Sequence, residues 1–176
     1  GVFFRSIVLS KTVILTGISG YIGLHCAKEL LDAGFNVRGT IRDPKKESIV
    51  RNALALSEKK VKHLTFVVLD LTSDHGWDEA VQGCDYVMHV ASPFRIANPK
   101  IESEMIEPAI EGTERVLRAA QQANVRRIVI TGSIVSMMAS LRKGRFGPDD
   151  WTDVTYPELS TYVKSKTLAE KMAWNW

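Results

Sequence analysis

Tyr162 and Lys166 stand four residues apart in the run Tyr162-Val163-Lys164-Ser165-Lys166, a spacing that puts both on one face of a helix. A phenol with its ordinary pKa of about 10 is a poor acid–base group at neutral pH. A neighbouring ammonium favours the phenolate and lowers that pKa, so the pair could give and take a proton. Ser133 follows an apolar run and carries a hydroxyl able to polarise a carbonyl oxygen. Tyrosine and lysine at this spacing are common by chance, and their weight depends on what lies upstream. There, Thr16-Gly17-Ile18-Ser19-Gly20-Tyr21-Ile22-Gly23 follows the apolar run Thr12-Val13-Ile14-Leu15 and opens a segment with Ile22, Cys26 and Leu30 on one helical face. Strand, glycine turn and helix are the setting of a dinucleotide fingerprint. Gly17 suits the tight turn, Gly20 the approach of a pyrophosphate, and Gly23 the close packing of helix on strand. The helix N-terminus offers free N–H groups and a partial positive charge to phosphates. With Ser19, Tyr21 and Ile22 between and beside them, these glycines are the candidate phosphate-binding residues. The combined chemistry is carbonyl reduction. Tyr162 would donate the proton, Ser133 would orient the oxygen, and Lys166 would also reach cofactor ribose hydroxyls while a nicotinamide delivers hydride.

The elements that must position these groups follow from the hydrophobic pattern. Strands are expected over 12–16, 36–41, 64–69, 86–90 and 127–131. Helices are expected over 21–33, around Ile49, Val50 and Leu54, over 77–82, over 102–123 with a bend at Pro108, and through the Tyr162–Lys166 segment to Trp174. Gly34 sits where a helix-ending glycine belongs. The run 64–69 is apolar almost throughout, as for a strand covered on both faces. The stretch 140–157 reads as an irregular loop, with Met137 and Met138 before it as loop filler or, alternatively, as pocket-lining residues. Strands alternating with helices indicate a parallel sheet with right-handed crossovers, hence an α/β, doubly wound, Rossmann-type fold. Ligands of such sheets bind beyond the carboxyl ends of the strands. Thr16, Arg42, Asp70, Ala91, Ser92 and Ser133 therefore stand where a ligand would be met.

The end of the second strand reports on the ribose. An NAD site usually has Asp or Glu there to accept from the 2′-hydroxyl. Here Ile41 is followed by Arg42, and Asp43 comes one position later beside Pro44. Arg38, Arg42, Lys45 and Lys46 make a cationic corner, and an arginine fork matches a phosphate. The reading is NADPH in preference to NADH, with Arg42 and Lys46 as candidate ligands. A solvated charged surface is the alternative. Asp70, with Leu71 beside it, is a candidate acceptor for the adenine amino group, or equally a cap for the next turn.

The 176 residues suit one domain, divided here into an N-terminal extension (1–11) and a dinucleotide-binding domain (12–176). A net charge of +3 with no basic run interleaved with aromatics does not call for nucleic acid. No apolar run reaches the ~18 residues of a membrane span. Cys26 and Cys84 lack paired spacing and read as buried free thiols, consistent with a reducing, cytoplasmic setting. His89, in an apolar strand, reads as a satisfied core histidine. His25, His63 and His75 show no metal-ligand spacing. The chain begins without Met and stops inside a helix carrying Trp174, so a fragment is expected. The partner expected is a small carbonyl compound. Oligomeric state, monomer or homodimer, stays open.

With these residues in place, the sequence resembles the extended short-chain dehydrogenase/reductases, and within them the dihydroflavonol reductase, cinnamoyl-CoA reductase and yeast ketone/methylglyoxal reductase group. The likeness rests on 16–23, on Val37-Arg38-Gly39-Thr40-Ile41-Arg42-Asp43 and on His89-Val90-Ala91-Ser92-Pro93-Phe94. It extends to Pro108-Ala109-Ile110-Glu111-Gly112-Thr113, Thr131-Gly132-Ser133 and 162–174. It implies that Arg42 contacts the 2′-phosphate, that Val90, Ala91 and Ser92 line the cofactor, and that Ser133, Tyr162 and Lys166 form the catalytic triad. Such proteins usually have two serines after the fifth strand, where this chain has Gly132 and then Ser133. Many carry a catalytic Asn in the long helix, where this chain has Glu111 and Glu114. They continue well past the Tyr–Lys helix into a sixth strand and most of the substrate pocket, so the 176 residues alone are expected to be inactive. A non-catalytic dinucleotide-binding or redox-sensing module is the alternative, as is an NAD-dependent sterol dehydrogenase or sugar epimerase, against which Arg42 argues.

Overall fold

The structure, a computed structural model, describes residues 10–92, 99–140 and 143–176. Most of the N-terminal extension, and Pro93 and Phe94 of the fourth-strand motif, lie outside the described residues. Five parallel strands form one sheet in the order β3-β2-β1-β4-β5. They are β1 (Thr12–Thr16), β2 (Asn36–Ile41), β3 (Leu64–Val68), β4 (Tyr86–His89) and β5 (Arg127–Ile130). Around them run α1 (Tyr21–Asp32), α2 (Lys46–Leu54), α3 (Glu58–Val61), α4 (Trp77–Val81), α5 (Ser103–Gln122), α6 (Val135–Met138) and α7 (Thr161–Trp174).

The sheet is wound on both faces, and β1 shows why. Successive strand residues point to opposite faces. Ile14 joins a core with Trp77, Val81, Val87 and Val116, contributed by α4, β4 and α5. Leu15 joins a second core with Ile18, Ala27, Leu31, Val37 and Val50, contributed by α1, β2 and α2. Both residues are completely buried. The strand order reverses between β1 and β4, and the crevice at such a switch point is where a dinucleotide lies.

Several details depart from expectation. β3 is an edge strand, so one flank has no neighbour, and Val68 is 53% exposed although the run reads as doubly covered. A short helix, α3, lies between α2 and β3, where the hydrophobic pattern named no element. Met137 and Met138 belong to α6 rather than to loop. That helix is held by Thr152, whose amide donates to Ser136 O at 2.8 Å and whose hydroxyl donates to Val135 O and accepts from the Ala139 amide. The long helix α5 carries Pro108 inside it, in line with expectation. Arg38 does not belong to the cationic corner. It sits mid-strand, four residues and roughly 13 Å before Arg42, and donates to the Ala80 and Gln82 carbonyls at the end of α4, where free carbonyls and the helix dipole attract a cation.

Candidate functional site

The glycine turn is forced by close approach. Gly17 has φ +72°, and a Cβ there would stand 2.9 Å from the Ala91 backbone. A Cβ on Gly23 would stand 2.1 Å from Gly17 O, so α1 can lie this close to the turn only without one. α1 then begins with no side-chain cap and no acidic residue in its first turn. Its leading amides are left to face an anion. Gly17 N donates to the Thr40 hydroxyl of β2 at 3.1 Å, and Gly39 leaves the space that Ile18 fills.

Thr16 ties the turn to β4. Its hydroxyl accepts from the Val90 and Ala91 amides, both at 3.0 Å, and lies 2.7 Å from His89 Nδ1. A hydroxyl has two acceptor positions and one donor. With both acceptor positions taken, it donates to Nδ1, and this network assigns neutral His89 its proton on Nε2. Burial, and then the charge of Lys166, push the His89 pKa down to about 4. His89 is the buried core histidine that its strand position implies, with Nδ1 bonded to Thr16, and it also lines a cavity described below.

An open cleft of about 480 Å³ lies over the β1–β4 switch. Gly17, Ser19, Gly20, Tyr21, Ile22 and Gly23 form its floor on the α1 side. Arg42, Asp70 and Leu71 stand at the β2–β3 end, and Val90, Ala91 and Ser92 along β4. Twelve of the fifteen residues expected to bind cofactor are thus gathered in one cleft. Lys46, the first residue of α2, is exposed outside this lining, and Tyr162 is also outside it. Asp43 Oδ1 accepts from Lys45 N at 2.9 Å, so this carboxylate serves a turn, and Arg42 is the charged side chain at the cleft's β2 edge. One oxygen of Asp70 accepts from the amide and hydroxyl of Thr72, both at 2.8 Å. These bonds, and then Arg42 and Arg115 nearby, hold its carboxyl below the usual range. Asp70 therefore caps the turn and lines the cleft at once.

A second, small cavity of about 30 Å³ adjoins the cleft and shares Leu71, Ala91 and Ser92 with it. Its far wall is His89, Thr113, Gly132, Lys166 and Glu170. Lys166 comes from α7, whose start is set by Ser160 accepting from Val163 N. α7 packs along α5, and Lys164 of α7 pairs with Glu102 at 2.8 Å. Lys166 Nζ lies 6.0 Å from the centroid of the Tyr162 ring. Burial lowers the Lys166 pKa, opposed by the charge of Glu170. Ser133 closes β5, its carbonyl accepting from Ser136 N at 2.9 Å, and α6 beyond it packs on α7. Neither Ser133 nor Tyr162 lines the cleft or the small cavity.

Residues 13–176 match the NAD dependent epimerase/dehydratase family. The chain belongs to this family. Among relatives, a bifunctional dihydroflavonol 4-reductase/flavanone 4-reductase of Malus domestica is 37% identical over 174 residues, spanning 95% of this chain and 50% of the relative. An anthocyanidin reductase of Vitis vinifera is 34% identical over 173 residues, spanning 93% of this chain and 51% of the relative. The structure of Gre2 from Candida albicans in complex with NADPH superimposes with a TM-score of 0.81 at 26% identity, over 94% of this chain and 52% of that one. The chain spans about half the length of the relatives it matches. Thr40, which lines the cleft, and Glu170, which lines the small cavity, were passed over by reasoning from the sequence, whereas Thr16 was singled out there as a strand-end residue. Thr40 had a signal, since it falls near the carboxyl end of a strand flanking the turn. Glu170 had a weaker one, four residues after Lys166 on the same helical face.

Proposed function

We propose that the protein is an NADPH-dependent reductase of a ketone or aldehyde. The observation that carries this reading is the continuity of the dinucleotide cleft with the Lys166 cavity through Leu71, Ala91 and Ser92. The fit to the cofactor rests on the uncapped α1 N-terminus beside Gly17 and Gly23, where an added Cβ would clash with backbone. NADPH, when bound, supplies hydride to the carbonyl carbon. The amides around Gly17, Ser19, Gly20, Tyr21, Ile22 and Gly23 would hold its pyrophosphate. Arg42, with Lys46 close by in sequence, would hold the 2′-phosphate; Asp70 and Leu71 would meet the adenine, and Val90, Ala91 and Ser92 the nicotinamide half. Tyr162 gives its phenolic proton to the carbonyl oxygen, which Ser133 orients. The Lys166 ammonium stabilises the resulting phenolate. The NADPH-bound Gre2 likeness and the reductase relatives support this reading. Arg42 at the position of the usual acidic residue favours NADPH over NADH.

The test is NADPH oxidation at 340 nm by the intact protein with a panel of aldehydes, ketones and dihydroflavonols. Tyr162→Phe should lower turnover about 10²–10⁴-fold with NADPH affinity unchanged. A Tyr162→Phe variant as active as the parent overturns the assigned role. Tight NADPH binding with no turnover on any carbonyl would make the protein a non-catalytic dinucleotide module instead.

A further inference from the structure

The small cavity behind Lys166 brings three polar groups together. Oε2 of Glu170 is buried and has no hydrogen-bond partner among the described residues, although most such atoms in folded proteins have one. Lys166 Nζ makes no hydrogen bond and no direct ion pair with Glu170 among the described residues, although the two stand one helical turn apart on α7. His89 presents to the same cavity a ring whose Nδ1 is already taken by Thr16, so the N–H it has left is on Nε2. The set comprises two donors and one acceptor around a space of about 30 Å³. A water needs about 10–15 Å³ and two to four polar partners. It could accept from His89 and Lys166 and donate to Glu170, completing all three.

We infer that Glu170 is a positioning residue for Lys166, joined to it and to His89 by one buried water, and that Gly132 is the residue that admits its carboxylate. A Cβ on Gly132 would stand 3.0 Å from Glu170 Oε2 and 3.4 Å from its Cδ, so a side chain there pushes the carboxylate by a few tenths of an ångström. The role of Glu170 is electrostatic. Partial burial of an ammonium disfavours its charge, and a carboxylate one turn away favours it. The titratable groups lining the cavity are Lys166 and Glu170 from α7 and His89 from β4. α5 contributes Ala109 and Thr113, whose hydroxyl already donates to Ala109 O at 2.8 Å. This inference rests on the reading of Lys166 as the ammonium beside the nicotinamide.

The experiment is competitive acylation of the intact protein across pH, with the Lys166 peptide quantified by mass spectrometry. The neutral amine is the form that reacts. In Glu170→Gln the apparent pKa of Lys166 should fall by about one unit, which makes its labelling at fixed pH about tenfold faster. Other lysines should be unaffected. Equal Lys166 titration in parent and variant overturns the inference. If Glu170→Gln gives no cooperative unfolding transition, Gly132→Ala decides. It should shift Lys166 in the same direction by moving the carboxylate, and an unchanged profile overturns the inference. NADPH titration is run alongside. Failure of the parent to bind NADPH refutes the proposed function, while the labelling still reports on Glu170 and Lys166. In a crystal structure at high resolution, one ordered water should bridge the three groups, and a dry cavity overturns the bridge.

Discussion

Thr16→Val isolates the hydroxyl that joins the glycine turn to β4. The side chain is fully buried, and valine has nearly its shape, so what is lost is the hydrogen bonding. Three groups lose their partner at once: the Val90 and Ala91 amides, each bonded at 3.0 Å, and His89 Nδ1 at 2.7 Å. An unsatisfied buried polar group costs about 1–3 kcal/mol. The two amides are part-buried, which places them near 1 kcal/mol each, and the enclosed histidine stands higher. The sum is about 3–5 kcal/mol, a large part of the roughly 5–15 kcal/mol by which a domain is stable. Thr16→Ser keeps the hydroxyl and loses one methyl, at about 0.8 kcal/mol. Urea unfolding of the intact protein, followed by tryptophan fluorescence, measures both. NADPH affinity should fall in Thr16→Val as well, because Val90 and Ala91 line the cleft. If Thr16→Val is within 1 kcal/mol of Thr16→Ser, the hydroxyl does not tie the two strands together and the tautomer assigned to His89 loses its basis.

Arg42→Ala should raise the dissociation constant for NADPH by about tenfold or more while changing that for NADH little, since a charge-assisted arginine–phosphate contact is worth about 1.5–3 kcal/mol. Fluorescence titration with both cofactors checks this, and equal weakening refutes the 2′-phosphate assignment. His89 should make the fold acid-sensitive. Unfolded, its imidazole takes a proton as pH falls through about 6.5, but the folded protein resists until about 4. The unfolded chain thus binds more protons in that window, so stability is full above it and declines as pH drops through it. Between pH 7 and pH 4.5 the loss from this group is about 2 kcal/mol. Urea unfolding at the two pH values, in the parent and in His89→Gln, should show that difference shrinking by this amount in the variant. An unchanged difference means that His89 is protonated in the folded state.

The regularities of the strand–helix alternation, and with them the five-stranded parallel sheet, are written locally. Alternation and 3.6-residue periodicity depend on neighbours a few positions away, which is why the apolar run 12–15 reads as a strand before any partner is known. The glycine turn was legible for the same reason. Its requirement for residues without a Cβ is a short-range demand of one strand, one turn and one helix. What an individual strand end does was less accessible. Asp70 could be a cap or a ligand on sequence alone, and its geometry supports both. Arg38 and Arg42 look equivalent in a cationic run, yet β2 carries one of them to the end of α4 and the other to the cleft.

The sequence by itself determined which residue types were available for chemistry, and the order of elements that could bring them to one edge of a sheet. Composition, periodicity and the Tyr162–Lys166 spacing suffice for that, because each is a property of the chain over a few residues. The tertiary structure alone decided who meets whom. Thr16 and His89 are 73 positions apart, Thr40 reaches Gly17 across 23, and the room for Glu170 is made by Gly132 on another element. The first two follow from the pairing of β1 with β4 and with β2, and the third from α7 packing on α5 and α6 beside the end of β5. No local pattern encodes them, because a buried side chain takes its partner from whatever the fold sets opposite it.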